Sequence, residues 1–370
     1  MGFNSDSGIT PNIVKLFFAS LCLLILISCG SGSPSVEDTS APDSISLVIE
    51  EWKNWAESSD DGLWEGDSSH SLTISLLKSY GGPDDIDPPF YYPEGLAVAG
   101  DTVFITDNNT QKLVAIDESG EVLWETEGLG EGPGHFTAIS QVNVNDHFIA
   151  VTDLGNARVD FFNRAGEWLQ SVPALSAYDV HFLDDSLAVV AKYTTSECFL
   201  VVSVTGDTLS TFGSWADHLE GWPSNRDLHI DLKDSLLIVT SYYSDRIEIY
   251  DLQKDSMTAA FARDLPFEFS GPENDGGMIS LTPVILDVYT GPEGMINVLY
   301  RPFNEDKCVE FAIENLADIS VIDRYNYDGE YLDSYIIPKN VTQATYDNGK
   351  LYAINDIESM LDIYSIECNN

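Results

Sequence analysis

Basic residues are scarce in this chain, with 17 Lys and Arg against 61 Asp and Glu and a formal net charge of −44. That imbalance argues against nucleic acid as a partner and against direct contact with anionic headgroups. Self-repulsion of this size is best tolerated where salt shortens the screening length, so the composition is halophile-like. Cysteine is scarce too. Cys22, Cys29, Cys198, Cys308 and Cys368 have no metal-ligand spacing, which leaves neither a zinc site nor a disulfide framework. Cys198, Cys308 and Cys368 read as buried thiols in preference to a single Cys308–Cys368 bridge. Gly-x-Ser-x-Gly, His-Glu-x-x-His and a phosphate-binding glycine loop are all missing, so no residue is assigned as catalytic. Asp60-Asp61-Gly62 and Asp84-Asp85-Ile86-Asp87 lack the ligand order of an EF-hand.

A long hydrophobic run occurs only near the start, from Leu16 to Ile27 behind Lys15, too short for a comfortable transmembrane helix. Ending in Ser28-Cys29-Gly30, it resembles a bacterial lipoprotein signal. The resemblance implies cleavage after residue 28, lipid on the Cys29 thiol and export. Gly30 in place of an aspartate implies sorting to the outer membrane. Residues 29–69 then form an acidic tether, Ser, Gly and Pro rich at first. Within it Ile45, Val48, Ile49, Trp52, Trp55 and Ala56 recur at helical spacing, which predicts one amphipathic helix over 44–57.

From residue 70 the helical period is absent, and short runs of Val, Ile, Phe and Tyr alternate with turns, so residues 70–368 read as all-β. One unit recurs six times, read through its second strand at Val103, Phe148, Leu187, Leu236, Ile296 and Leu351. The spacing is that of four-stranded propeller blades. Asp153-Leu154-Gly155-Asn156-Ala157-Arg158-Val159 follows one such strand, with weaker copies at Asp107 to Leu113, including Lys112, and Ser241 to Ile247, including Arg246. An acidic or hydroxyl residue caps the turn, a Gly or Asn tolerates left-handed backbone, and a basic residue opens the next strand. Only one strand, Leu361–Ile366, follows the sixth unit's second strand. Leu72 to Leu77 therefore completes the last blade and closes a ring.

The Asp-x-Gly-Asn-x-Arg-Val stretch, Gly130-Glu131-Gly132-Pro133-Gly134-His135-Phe136, and Pro93-Glu94-Gly95-Leu96 together resemble NHL-repeat six-bladed propellers of exported bacterial lipoproteins. Blades one and two carry the likeness most clearly, whereas blade five departs through an acidic insertion at 301–318. Related propellers include binding scaffolds and metal-dependent lactonases and lyases. The resemblance implies a fold and an address more than an activity.

In a propeller the first strands line the channel, and the loops before them and after the second strands build one mouth. Glu94, Tyr178, Lys192, Arg226 and Arg301 are the candidate ligand-binding residues there; the three bases also fit a role in tying blades together. The expected occupant is a small molecule or a protein, bound without catalysis. The alternative is a hydrolase or lyase holding a divalent metal through Glu94, Asp179, His181, Asp227 and His229, because Asp179-Val180-His181 and Asp227-Leu228-His229 enter consecutive blades. Aligning those pairs takes one extra residue in the turn of blade four, so their faces can differ. A mainly structural envelope protein is the third reading.

Overall fold

A computed structural model describes residues 72–82, 89–193, 197–213, 228–242, 246–254, 256–262, 273–275, 278–280, 285–300, 320–355 and 358–368. Cys29, the 44–57 helix, Arg226, Asp227, Arg301 and the 301–318 insertion lie outside them. The chain is a six-bladed β-propeller. Blade one runs through Pro93–Ala99, Thr102–Asp107, Lys112–Asp117 and Val122–Glu125. Blade two is built of Ile139–Val144, Phe148–Asp153, Arg158–Asn163 and Trp168–Pro173, and blade three of Ala177–Phe182, Leu187–Lys192, Phe199–Ser203 and Thr208–Phe212. Blade four holds Leu228–Lys233, Leu236–Ser241, Arg246–Asp251 and Ser256–Ala262. Blade five holds Ile285–Thr290, Ile296–Tyr300, Ser320–Tyr325 and Tyr331–Ile337.

Blade six, Gln343–Asp347, Lys350–Asn355 and Met360–Cys368, receives its outermost strand from Leu72–Gly81. That strand pairs antiparallel with Met360–Cys368 from Leu72 opposite Cys368 to Gly81 opposite Met360. The ring is thus closed by the two ends of the domain, as the sequence implied.

Each blade is apolar on both faces because each is packed between two others. Second strands such as Thr102–Asp107 and Leu236–Ser241 are buried almost throughout, while the outermost Thr208–Phe212 is exposed along most of its length. Among the described residues the core is divided accordingly into six clusters, each spanning one junction between neighbouring blades. The Cys198 thiol is buried in the cluster between blades three and four. The turns between third and fourth strands need glycine for a specific reason. Gly166 has φ +80°, and a Cβ there would meet the Trp124 ring of blade one at 2.6 Å.

The turn residues that recur from blade to blade fix the entry loops and strands rather than facing the channel. Asp107 is buried, and its carboxylate accepts from the backbone N–H of Tyr91, Tyr92 and Asn109 and from the Thr110 hydroxyl. Asp153 repeats this on Thr137, Ala138 and Asn156. Arg158 donates to Asp160 and to the carbonyls of Glu131, Gly132 and His135, clamping the glycine-rich 130–134 turn. Arg246 donates to Glu248 in the same way, and Lys112 pairs with Glu125.

Candidate functional site

Strand pairing sets which side chains meet in the channel. In the first strands of blades one to six, Gly95, Gln141, Asp179, His229, Asp287 and Gln343 occupy one level. Five of them pair with Thr106, Ala191, Thr240, Leu299 and Ile354 of their second strands. The sixth, Gln141, is fixed by its N–H donating to Thr152 Oγ1, as that of Gly95 does to Thr106 Oγ1. Two residues further along lie Ala97, Asn143, His181, Asp231, Tyr289 and Thr345. Blades one, two, three and five shift register before the upper level, but blade four pairs without a break from Leu228–Ser241 through His229–Thr240.

That difference corrects the sequence alignment of the two Asp/His pairs. His229 lies level with Asp179, and Asp231 level with His181, so the order of acid and imidazole is inverted between blades three and four. His181 Nδ1 is 3.6 Å from Asp231 Oδ1, and His229 Nδ1 is 3.7 Å from Asp287 Oδ1. Among the described residues no three His, Cys, Asp or Glu side chains converge as metal ligands. Asp179 Oδ1 and Oδ2 accept from the N–H of Val180 and Ile230, and Asp287 from those of Val288 and Ala344. These carboxylates pin neighbouring blades together.

Burial dominates the titration of this level. It raises Asp179 to about 6, against the opposing pull of His181, and raises Asp287 well above the usual carboxylate range. It pushes His229 down to about 4, so the imidazole is neutral at neutral pH. The 3.7 Å approach to Asp287 is then neither an ion pair nor a hydrogen bond. His229 is 2% exposed and neither ring nitrogen has a hydrogen-bond partner.

Among the described residues, cavities lie on both sides of this level. At the mouth, about 320 Å³ is enclosed by Tyr92, Glu94, Asn108, Tyr178, Tyr193 and Tyr242 among others, over a floor that includes Gln141, His229 and Gln343. Inside the channel lies a smaller one of about 90 Å³, lined by Asn143, Asp179, His181, Asp231 and Asp287 among others. Gln141 and Gln343 line both, and Gln343 Nε2 donates to Gln141 Oε1, linking blade six to blade two in front of Gly95 of blade one. This amide crossbar makes the floor of the mouth.

Of the residues expected to bind ligand, Glu94 and Tyr178 are brought together in the mouth. Glu94 is held by Asn108 Nδ2 at Oε2 and by Ser140 Oγ at Oε1, 2.9 Å away. The Tyr178 ring lies 5.0 Å from that of Tyr193 and meets His229 edge-on at 5.4 Å. Lys192 is half-buried at the end of its strand and does not line the cavity. Its neighbour Tyr193 does. In blades one to four the wall is built by the residue just past the second strand, namely Asn108, Leu154, Tyr193 and Tyr242. The position before it, Asp107 or Asp153 in blades one and two, turns to cap backbone instead. Counting one residue past each second strand was the available signal.

Solved structures with this fold are distant in sequence. A DUF4221-family protein from Bacteroides vulgatus shares 13% identity, covering 82% of this chain and 99% of its own, with a TM-score of 0.51. A Bacteroides fragilis protein described as exported shares 12%, covering 81% and 96%, with a TM-score of 0.52. Virginiamycin B lyase from Staphylococcus aureus shares 12%, covering 80% and 99%, with a TM-score of 0.50. Likeness at this level establishes the architecture alone. No protein-family model matches the chain, and no curated protein is detectably similar in sequence.

Proposed function

We propose that the protein is an exported, lipid-anchored binding module whose ligand enters the tyrosine-walled mouth of the propeller. The observation that carries this reading is the cavity itself. Tyr92, Tyr178, Tyr193 and Tyr242 supply rigid amphipathic surface, and Glu94, Asn108, Gln141, Gln343 and His229 supply a few convergent polar groups. An aromatic wall with a small polar set is the usual make-up of small-molecule sites, whose volumes run from ~300 to ~1,000 Å³. The address rests on the sequence: the apolar run ending at Cys29, with an acidic tether behind it.

A fragment library screened against the full protein by ligand-observed NMR tests the mouth. Hits are expected that vanish in Tyr178→Ala and Tyr242→Ala variants with unchanged melting behaviour. Hits indifferent to both substitutions overturn the reading. For the address, a Cys29→Ala chain is expected to lose incorporation of a fatty-acid label and to leave the membrane fraction.

A further inference from the structure

Two side chains at the floor of the mouth are left incomplete by the protein. His229 has neither nitrogen bonded, and Gln343, whose Nε2 serves the crossbar, has Oε1 without a partner. Both are more than nine-tenths buried and both line the cavity. Buried polar atoms are nearly always satisfied, so an orphaned set gathered under one cavity points to what fills it. A neutral imidazole offers one N–H donor and one lone pair, and an amide oxygen accepts. The floor therefore asks for donors and an acceptor together. An ammonium only donates and a carboxylate only accepts; a hydroxyl does both.

The wall narrows the choice. Aromatic rings take the apolar face of a saturated ring, and Glu94, oriented by Asn108 and Ser140, stands at its edge. Resting on the reading of the mouth as a binding site, we propose that it holds an uncharged saccharide unit. One ring face lies against the tyrosines, and hydroxyls reach His229 and Gln343 on the floor. One hydroxyl donates to the free imidazole nitrogen, a second accepts from the protonated one, and a third donates to Gln343 Oε1.

The test is saturation-transfer NMR and titration of the full protein with a panel of neutral mono- and disaccharides, with choline and acetate as charged probes. At least one neutral sugar is expected to bind through its ring protons. Its Kd is expected to weaken about tenfold or more in His229→Ala, since two hydrogen bonds are lost, and to recover partly in His229→Gln. Choline and acetate are expected to give no transfer. Absence of binding by every neutral sugar overturns the proposal, as does sugar binding unaffected by His229→Ala. Binding of choline alone, lost in Tyr178→Ala, also overturns it and replaces the sugar with an organic cation. If fragments bind in a Tyr178-dependent manner and no sugar does, only the sugar fails; if neither binds, the mouth itself is not a site.

Discussion

Replacing His229 with leucine should flatten part of the acid sensitivity of the fold. In the folded protein burial holds this imidazole at about 4 against an ordinary 6.5. Between those values the unfolded chain binds a proton that the folded chain refuses. The histidine therefore costs nothing extra above its unfolded value, and it costs progressively more as pH falls toward the folded one. At ~1.4 kcal/mol for each tenfold in proton affinity the full loss is ~3 kcal/mol, of which ~2 kcal/mol has been reached by about pH 4.5. Asp179 and Asp287 work in the opposite sense, since carboxylates raised by burial gain protons more readily in the fold and favour it as pH falls. They are common to both proteins and cancel in the comparison. Urea unfolding at neutral pH and at about pH 4.5 should show the wild type losing ~2 kcal/mol more than His229→Leu. At neutral pH the variant should match or exceed the wild type, because two orphaned buried nitrogens are removed. Parallel pH dependences in the two proteins would refute a buried neutral His229.

Asp107→Ala strips four donors of their acceptor at the entry to blade one, and should destabilise the protein by about 3 kcal/mol in chemical denaturation, with Asp107→Asn costing less. Arg158→Lys cannot reproduce the fan of bonds to Glu131, Gly132 and His135, so limited proteolysis should cut the 130–134 turn faster while the melting profile changes little. Removing residues 72–81 bares the edge of Met360–Cys368, and size-exclusion chromatography should show loss of the monomer to aggregates; an unchanged monomer with an unchanged melt refutes closure by that strand.

Much of the architecture was legible because it is periodic. All six second strands, the turns with their glycines and the closing strand follow from runs of β-branched residues punctuated by Asp, Asn and Gly. The mouth was half legible. Glu94 and Tyr178 stand on irregular first-strand entries that can be counted from the sequence, whereas the level of His229 depends on whether its strand bulges. A bulge is decided by cross-strand pairing, and one residue of register turns a side chain from one face of the strand to the other, into the channel or out of it. Gln141 and Gln343 are 202 residues apart, so no local pattern announces the crossbar they form.

The partnership of Leu72–Gly81 with Met360–Cys368 also sets an order of events. Nearly every other strand finds its neighbours within its own blade, at short range along the chain. The seam pairs strands from the opposite ends of the domain, and until Met360–Cys368 has emerged the strand that begins the fold has no strand of its own blade to pair with. A growing chain can therefore assemble blades but cannot latch the ring. The contacts that make the structure circular, this pairing and the packing of blade six on blade one, must wait for the last blade, which keeps the polypeptide unlatched for as long as it is being made.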